Sequence, residues 1–160
     1  MNRSEYLSGV REFFYEGEML GEAVFERYVE LETDPLRQFK WAALLQLETE
    51  TKARLRPFLM GLGLSIARKD ESERVTEFAN AFASKSWQQH MEEIIAITGY
   101  YLQSFRSLEA AAPESERAIA QSMVAHEASI YRFAELELAG EAKKSLDDVI
   151  AQLRWPPTTQ

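Results

Sequence analysis

A helical stripe that is apolar except for one carboxylate is the feature that most constrains how this chain can fold. From residue 120 to residue 138 the inward side chains recur every three or four positions, which is typical of an α-helix packed against other helices. The stripe consists of Ala120, Met123, Glu127, Ile130, Ala134 and Leu138. Glu127 therefore points inward, and a buried carboxylate needs a cation, a metal ion or a proton as its partner.

Three further stretches carry the same period and predict three more long helices. The first helix is expected from about residue 4 to 32, the second from 35 to 62 and the third from 86 to 111. Tight turns at Thr33-Asp34-Pro35 and at Pro113 join these helices in pairs. In the second helix the apolar stripe is again interrupted by a carboxylate, Glu48, so two helices each place a glutamate in the core.

The helix lengths predict an all-α four-helix bundle that forms one domain over residues 1–160, with tails at 1–3 and 155–160. The 23 residues from Gly63 to Lys85 can cross the whole bundle, which is roughly 40 Å long. A short helix is expected inside this long crossover, and another follows the fourth long helix. We expect both tight turns to lie at the same end of the bundle; a simple up-down-up-down topology is the alternative.

Composition excludes several functional classes. The net charge of -8 works against binding to nucleic acid or to anionic lipid, because both require clustered positive charge. The absence of cysteine excludes disulfides and thiolate metal sites. No stretch has the apolar character of a signal peptide or of a membrane span. The sequence therefore predicts a soluble, cytoplasmic protein.

The expected topology places several polar side chains in one cross-section of the bundle. Glu48 follows Asp34 by 14 positions and Glu127 follows Pro113 by 14, so the two carboxylates are expected at equal height. The same count along the other two helices adds residues at this level. The predicted layer contains Glu18, Glu48, Thr51, Thr98 and Glu127, with Tyr101 one turn away and Gly17 and Gly21 providing close helix contact or space for a pocket. Glu18 lies about 80° from the middle of its apolar face.

Two hairpins, a long crossover and mid-helix glutamates in the second and fourth helices resemble the ferritin-like superfamily, which includes rubrerythrins and di-iron carboxylate oxygenases. The resemblance implies a Glu-x-x-His motif on each of these two helices and one glutamate on each of the others, together holding two metal ions. Glu48 and Glu127 match the two motif glutamates, but Thr51 and Ile130 stand where the histidines are expected. The resemblance thus implies an eroded carboxylate site.

Two functional hypotheses follow. In the first, the chain is a metal-binding oxidoreductase in which Glu48, Glu127 and Glu18 hold iron or manganese, because oxygen ligands suit such hard ions. In the second, the bundle binds no metal and acts through self-association, as a homodimer, or by binding a small apolar ligand. His126 points about 80° from the core centre, which favours a position at an interface over a role as a ligand.

Overall fold

Four long rods of helix make up most of the structure, a computed structural model that describes residues 1–157. The first rod joins α1 (Arg3–Gly9), a π-helical segment (Val10–Glu16) and α2 (Gly17–Leu31) without a break. The other rods are α3 (Pro35–Gly61), α5 (Trp87–Ala111) and α6 (Glu114–Leu138), and two shorter helices are α4 (Ser72–Phe82) and α7 (Asp147–Ile150). The all-α prediction is confirmed. Part of the predicted tail at 155–160, residues 158–160, lies outside the described residues.

The starts of the long helices follow from their capping residues. Asp34 accepts hydrogen bonds from two backbone N–H groups of the first turn of α3, and Pro35 occupies the first helical position, as predicted. Ser86 and Gln89 form the predicted capping box of α5. Within residues 1–157, no helix combines the length and the apolar character needed to cross a lipid bilayer.

The π-helical segment of the first rod was not predicted, and it changes which side chains face the core. A π-helix pairs each backbone N–H with a carbonyl five positions earlier, so its turns are wider than those of an α-helix. Residues after the segment are consequently rotated relative to a continuous α-helix. Glu18 follows directly and is only 2% exposed, although an unbroken α-helix places it well off the apolar face.

The two tight turns lie at opposite ends of the packed helices, so the expectation that they share one end is wrong. Lys40, close after the turn at 32–34, forms an ion pair with Glu137, which lies at the end of α6 farthest from the turn at 112–113. Arg3, at the beginning of the first rod, forms an ion pair with Glu116 at 2.6 Å, beside the turn at 112–113.

The connector between α3 and α5 explains this arrangement. Its first part lies near the beginning of the first rod, where the Arg11 side chain donates a hydrogen bond to the Ala67 carbonyl at 2.9 Å. Its last part packs at the other end, where the Phe82 ring of α4 lies 4.8 Å from the Tyr28 ring of α2. Because this connector returns to the end at which α3 began, α3 and α5 run parallel. The turn at 32–34, which precedes α3, and the turn at 112–113, which follows α5, therefore lie at opposite ends of the bundle.

The core consists of two hydrophobic clusters, and buried polar side chains lie at the level between them. One cluster surrounds Leu44 and Phe133, and the other surrounds Phe14 and Leu59. Each rod has buried polar residues where the sequence passes from one cluster to the other, whereas His90 and Glu116 are buried near the starts of α5 and α6. The residues between the clusters are Glu18, Glu48, Thr51, Lys52, Thr98, His126, Glu127 and Ser129. The predicted polar layer is therefore present, although the turns are arranged differently from our expectation.

Candidate metal centre

Side chains from three rods converge in the polar layer: Glu18 from α2, Glu48 from α3 and His126 from α6. One ligand atom from each lies within 4.8 Å of the others. The Nε2 atom of His126 is 3.2 Å from Glu18 Oε1 and 3.6 Å from Glu48 Oε2. Ligand atoms that each lie about 2.1 Å from one ion are separated by roughly 3.0 to 3.4 Å at octahedral or tetrahedral angles. These three residues, the Glu-Glu-His trio, therefore have spacing compatible with a three-ligand metal site.

The trio is buried and contains polar atoms that lack hydrogen bonds. Glu18, Glu48 and His126 are 2%, 5% and 0% exposed. Among the described residues, neither His126 Nε2 nor Glu18 Oε2 has a hydrogen-bond partner. Leaving a buried polar atom unpaired costs about 1 to 3 kcal/mol, and such atoms in a folded protein often indicate a bound water or ion. A cation between the three side chains would satisfy both atoms.

Thr51 supports the imidazole ring from the opposite side. Its hydroxyl lies 3.2 Å from Nδ1 of His126, and both groups are buried. If Nδ1 carries the proton and donates to this hydroxyl, Nε2 presents its lone pair to the two carboxylates. Histidines that bind metals commonly have such a partner on the second ring nitrogen, because it fixes the tautomer and the ring orientation.

A glycine on the first rod provides the space for the Glu48 carboxylate. A Cβ atom at Gly21 would lie 2.6 Å from Glu48 Oε1, which is closer than atoms can approach without a shift. Gly17, one turn earlier, faces the Tyr101 ring at 3.2 Å from an added Cβ. Glycine in the middle of a helix costs about 1 kcal/mol relative to alanine. Glycine is nevertheless required at position 21, because a side chain there would displace the Glu48 carboxylate from the trio.

Burial and mutual interaction shift the ionisation of Glu48 and His126. Burial, together with the neighbouring Glu18 carboxylate, raises the pKa of Glu48 to about 8. Burial alone lowers the pKa of His126, but the carboxylates of Glu18 and Glu48 raise it well above 6.5. Protons thus compensate the negative charge when no other cation is present. A metal ion would take over this role and release protons on binding.

The structure brings together Glu18 and Glu48, two of the three predicted metal ligands. The third, Glu127, is also buried, but it lies outside the trio, and burial raises its pKa to about 8. His126 is completely buried beside both carboxylates, so the expectation that its side chain points away from the core is wrong. The Thr98 hydroxyl donates a hydrogen bond to the Ile94 carbonyl of its own helix at 2.7 Å.

His126 was missed because α6 buries a wider face than the single stripe through Glu127. A second stripe on α6, consisting of His126, Ser129, Phe133 and Leu136, is also buried. Its spacing of three, four and three positions was available in the sequence. A helix that contacts several others buries more than one narrow seam, and this rule would have placed His126 in the core.

A cavity of about 100 Å³ adjoins the trio. Glu18 and Glu48 form part of its wall, so any ion bound by the trio would lie at its edge. The remaining lining is mostly apolar and comes from α2, α4, α5 and α6. It includes the predicted pocket residues Gly17, Gly21, Thr98 and Tyr101, together with Glu127.

No protein family, curated protein or solved structure matches this chain. Its function must therefore be inferred from the trio and its surroundings.

Proposed function

We propose that the chain binds one divalent transition-metal ion between Glu18, Glu48 and His126 and that it acts as a ferritin-like metal-dependent oxidoreductase. The observation that carries the proposal is the convergence of three buried ligand atoms, two of which belong to groups with unsatisfied polar atoms. Buried polar atoms without a partner often indicate a bound water or ion, and here two of them belong to the same group of potential ligands.

The donor set favours iron or manganese. Two carboxylates and one imidazole supply oxygen and nitrogen ligands, and the chain contains no cysteine to provide a soft thiolate. Two ionised carboxylates, a neutral imidazole and one divalent ion also sum to zero charge, which lowers the cost of burying them together. The nearby buried Lys52 forms an ion pair with Glu22, so its charge is already balanced.

Three protein ligands leave further coordination positions available, as catalytic metal sites require. Because Glu18 and Glu48 also line the cavity, these positions can face its interior. A bound iron or manganese ion would supply one-electron redox chemistry there. The chain itself holds the ion through the trio, orients the imidazole through Thr51 and surrounds the site with apolar side chains that exclude bulk water.

The arrangement of the rods supports the ferritin-like part of the proposal. Ferritin-like bundles have one long crossover, and the connector from α3 to α5 has this character. His126 follows Met123 by three positions, the spacing of Glu-x-x-His, with methionine in place of the glutamate. On this register the chain keeps one glutamate on each of the first two rods and one histidine on α6, which is enough for a single ion.

Metal analysis tests the proposal directly. Protein purified without chelator and then incubated with Fe²⁺ under anaerobic conditions or with Mn²⁺ is expected to retain about one ion per chain after desalting. Glu48→Gln and His126→Ala should each retain less than a tenth of this amount, whereas Glu77→Gln, which changes an exposed carboxylate of α4, should retain all of it. Wild-type protein without metal, or variants of the trio that keep it, would contradict the proposal.

The two histidines of the chain provide a second readout that does not depend on desalting. Zn²⁺ serves as a diamagnetic probe in imidazole ¹⁵N NMR spectra, in which His126 and His90 are assigned from the two single variants. We expect Zn²⁺ to shift the His126 resonances with a stoichiometry of one and to leave those of His90 unchanged, because His90 lies among aromatic rings. Equal effects on both histidines would contradict a specific site.

A further inference from the structure

The cavity beside the trio is small and mostly apolar. Its volume is about 100 Å³, less than the roughly 150 Å³ of an engineered apolar cavity that holds benzene. The apolar part of the wall is formed by Leu20, Val24, Phe25, Phe78, Ile94, Ile97, Phe105 and Ile130. Such a space accepts an aliphatic group of a few carbons and does not favour a charged or strongly hydrated molecule.

The Glu127 carboxyl group in this wall has no partner among the described residues. Glu127 is 7% exposed, and its carboxyl group forms no hydrogen bond or ion pair with any of them. Two other polar wall residues have partners. Thr98 donates to a backbone carbonyl, and Glu93 forms an ion pair with Lys85 at the rim. A carboxyl group that lines a cavity and has no protein partner can form a hydrogen bond with a molecule bound there.

The cavity extends to the protein surface beside α5. Ile97 belongs to its wall and is 37% exposed, so the cavity reaches the surface at this side chain. Phe78 of α4 contributes to the same wall from the connector. The opening of the cavity therefore lies beside Ile97, with Phe78 of α4 in the same wall.

We infer that this cavity binds a small amphipathic molecule with an aliphatic body of roughly three to five carbons and one hydroxyl group that forms a hydrogen bond with Glu127. A hydroxyl group both donates and accepts, so it can pair with this side chain in either of its ionisation states. Only one part of the inference rests on the proposed function, namely that this molecule is the substrate of the metal site. Binding itself requires only the cavity and Glu127.

Binding is tested with butan-1-ol as the probe, in chelator-treated protein and in Zn²⁺-loaded protein. Titration followed by ¹H–¹⁵N NMR is expected to show saturable shifts in residues of the cavity wall, with a dissociation constant in the millimolar range for so small a ligand. Xenon serves as an apolar probe of the same space. The absence of saturable shifts with butan-1-ol in both forms of the protein would overturn the inference.

Variants of Glu127 test the role of the carboxyl group. Glu127→Leu is expected to weaken butan-1-ol binding at least tenfold while xenon binding changes less than twofold, because only the hydrogen bond is lost. Glu127→Gln keeps a hydrogen-bonding group and should bind butan-1-ol within threefold of wild type. Wild-type affinity for butan-1-ol in Glu127→Leu would overturn the assignment of this residue.

A matched pair of isoleucines tests the location. Ile97 and Ile66 are both 37% exposed, but only Ile97 lines the cavity. Ile97→Trp should abolish binding of both probes, and Ile66→Trp should leave it unchanged; the reverse result would place the ligand elsewhere. Metal binding without butan-1-ol binding overturns this inference alone, whereas butan-1-ol binding in a chain that holds no metal overturns only the proposed function.

Discussion

Glu127 illustrates how a single buried carboxyl group affects both stability and binding. It is buried in the polar layer and has no hydrogen-bond partner among the described residues. Burial, and to a smaller extent the Glu48 carboxylate, raises its pKa to about 8. Removing a polar group from water without a partner costs about 1 to 3 kcal/mol. A residue that destabilises the fold in this way is retained by selection more readily when it serves a function.

Replacement of this carboxyl group is therefore expected to stabilise the protein. Glu127→Leu should raise the free energy of unfolding at pH 7 by about 1 to 3 kcal/mol, because an apolar side chain replaces a polar group that lacks a partner. Urea denaturation in the presence of chelator measures the change. Glu77→Leu on the exposed face of α4 is the control and should change stability by less than about 0.5 kcal/mol. A destabilised Glu127→Leu would show that the carboxyl group has a partner.

His90 is expected to make stability depend on pH. Its ring packs 4.7 Å from that of Phe82 and 5.3 Å from that of Tyr28. Burial lowers its pKa below 6.5. The unfolded chain then binds a proton more readily than the folded chain, so the stabilisation is complete above pH 6.5 and is lost as the pH falls below that value. Wild type should lose more stability than His90→Phe between pH 7 and pH 5.5. Urea denaturation at both pH values measures this difference, and equal losses would contradict a neutral buried His90.

The sequence predicted part of the site at this scale. Glu48 interrupts an apolar stripe of helical spacing, and this pattern was sufficient to place it in the core. Glu18 was assigned to the right level but to an unfavourable direction, because a π-helical turn cannot be recognised from apolar spacing that assumes 3.6 residues per turn. His126 required knowledge of how many neighbours α6 contacts, which is a property of the assembled helices.

The helix pair α2 and α3 is held at a distance that depends on Gly21. An alanine at this position would place its methyl group against the Glu48 carboxylate, since an added Cβ lies 2.6 Å from Oε1. An alanine at Gly17 meets only the edge of the Tyr101 ring at 3.2 Å. The two glycines occupy the same face of α2. A substitution at Gly21 disturbs the trio directly, whereas one at Gly17 disturbs only the neighbouring Tyr101 ring.

We expect Gly21→Ala to weaken Mn²⁺ binding at least tenfold, because Glu48 must move out of the trio or the two helices must separate. Gly17→Ala should change the affinity less than threefold, and both variants gain up to about 1 kcal/mol of helix propensity that offsets part of the crowding. Competition between the protein and a metallochromic indicator measures the affinities. Equal affinities in the two variants would show that Glu48 does not need the space at Gly21.

Element boundaries were predictable where capping chemistry is local. Asp34, Pro35 and the Ser86–Gln89 pair mark helix starts in the sequence and do so in the structure. The relative placement of the two tight turns, in contrast, does not depend on nearby residues. A connector that spans the length of the helices returns the chain to the end where the preceding helix began, so it must separate the two tight turns.

The whole molecule nevertheless forms one polar layer, because Glu48 and Glu127 each lie near the middle of a helix. Glu48 is the fourteenth residue of the 27-residue α3, and Glu127 is the fourteenth of the 25-residue α6. A residue at the midpoint of a helix lies at the same level along the bundle axis whether the helix begins at one end of the bundle or at the other. The layer is therefore present although the two tight turns were expected at the same end, and its two flanking hydrophobic clusters keep it away from solvent.

An ion in this layer would connect three of the four rods, and its effect should appear in the stability of the entire fold. A ligand present at 100 times its dissociation constant stabilises the native state by about 2.7 kcal/mol. For a domain of this size each kcal/mol raises Tm by roughly 2 to 4 °C. Saturating Mn²⁺ is therefore expected to raise Tm by about 5 to 10 °C in chelator-treated protein, and addition of chelator should reverse the change.

The acidic surface makes a control necessary, because a chain with 26 acidic and 18 basic residues attracts divalent cations without a specific site. Glu48→Gln removes one ligand of the trio. Glu77→Gln makes the same substitution at an exposed carboxylate of α4. Scanning calorimetry with Mn²⁺ should show the increase in Tm in wild type and Glu77→Gln but not in Glu48→Gln. An equal increase in all three proteins would assign the stabilisation to the surface, and the trio would then have to be explained as a proton-balanced cluster in which His126 is charged between two carboxylates.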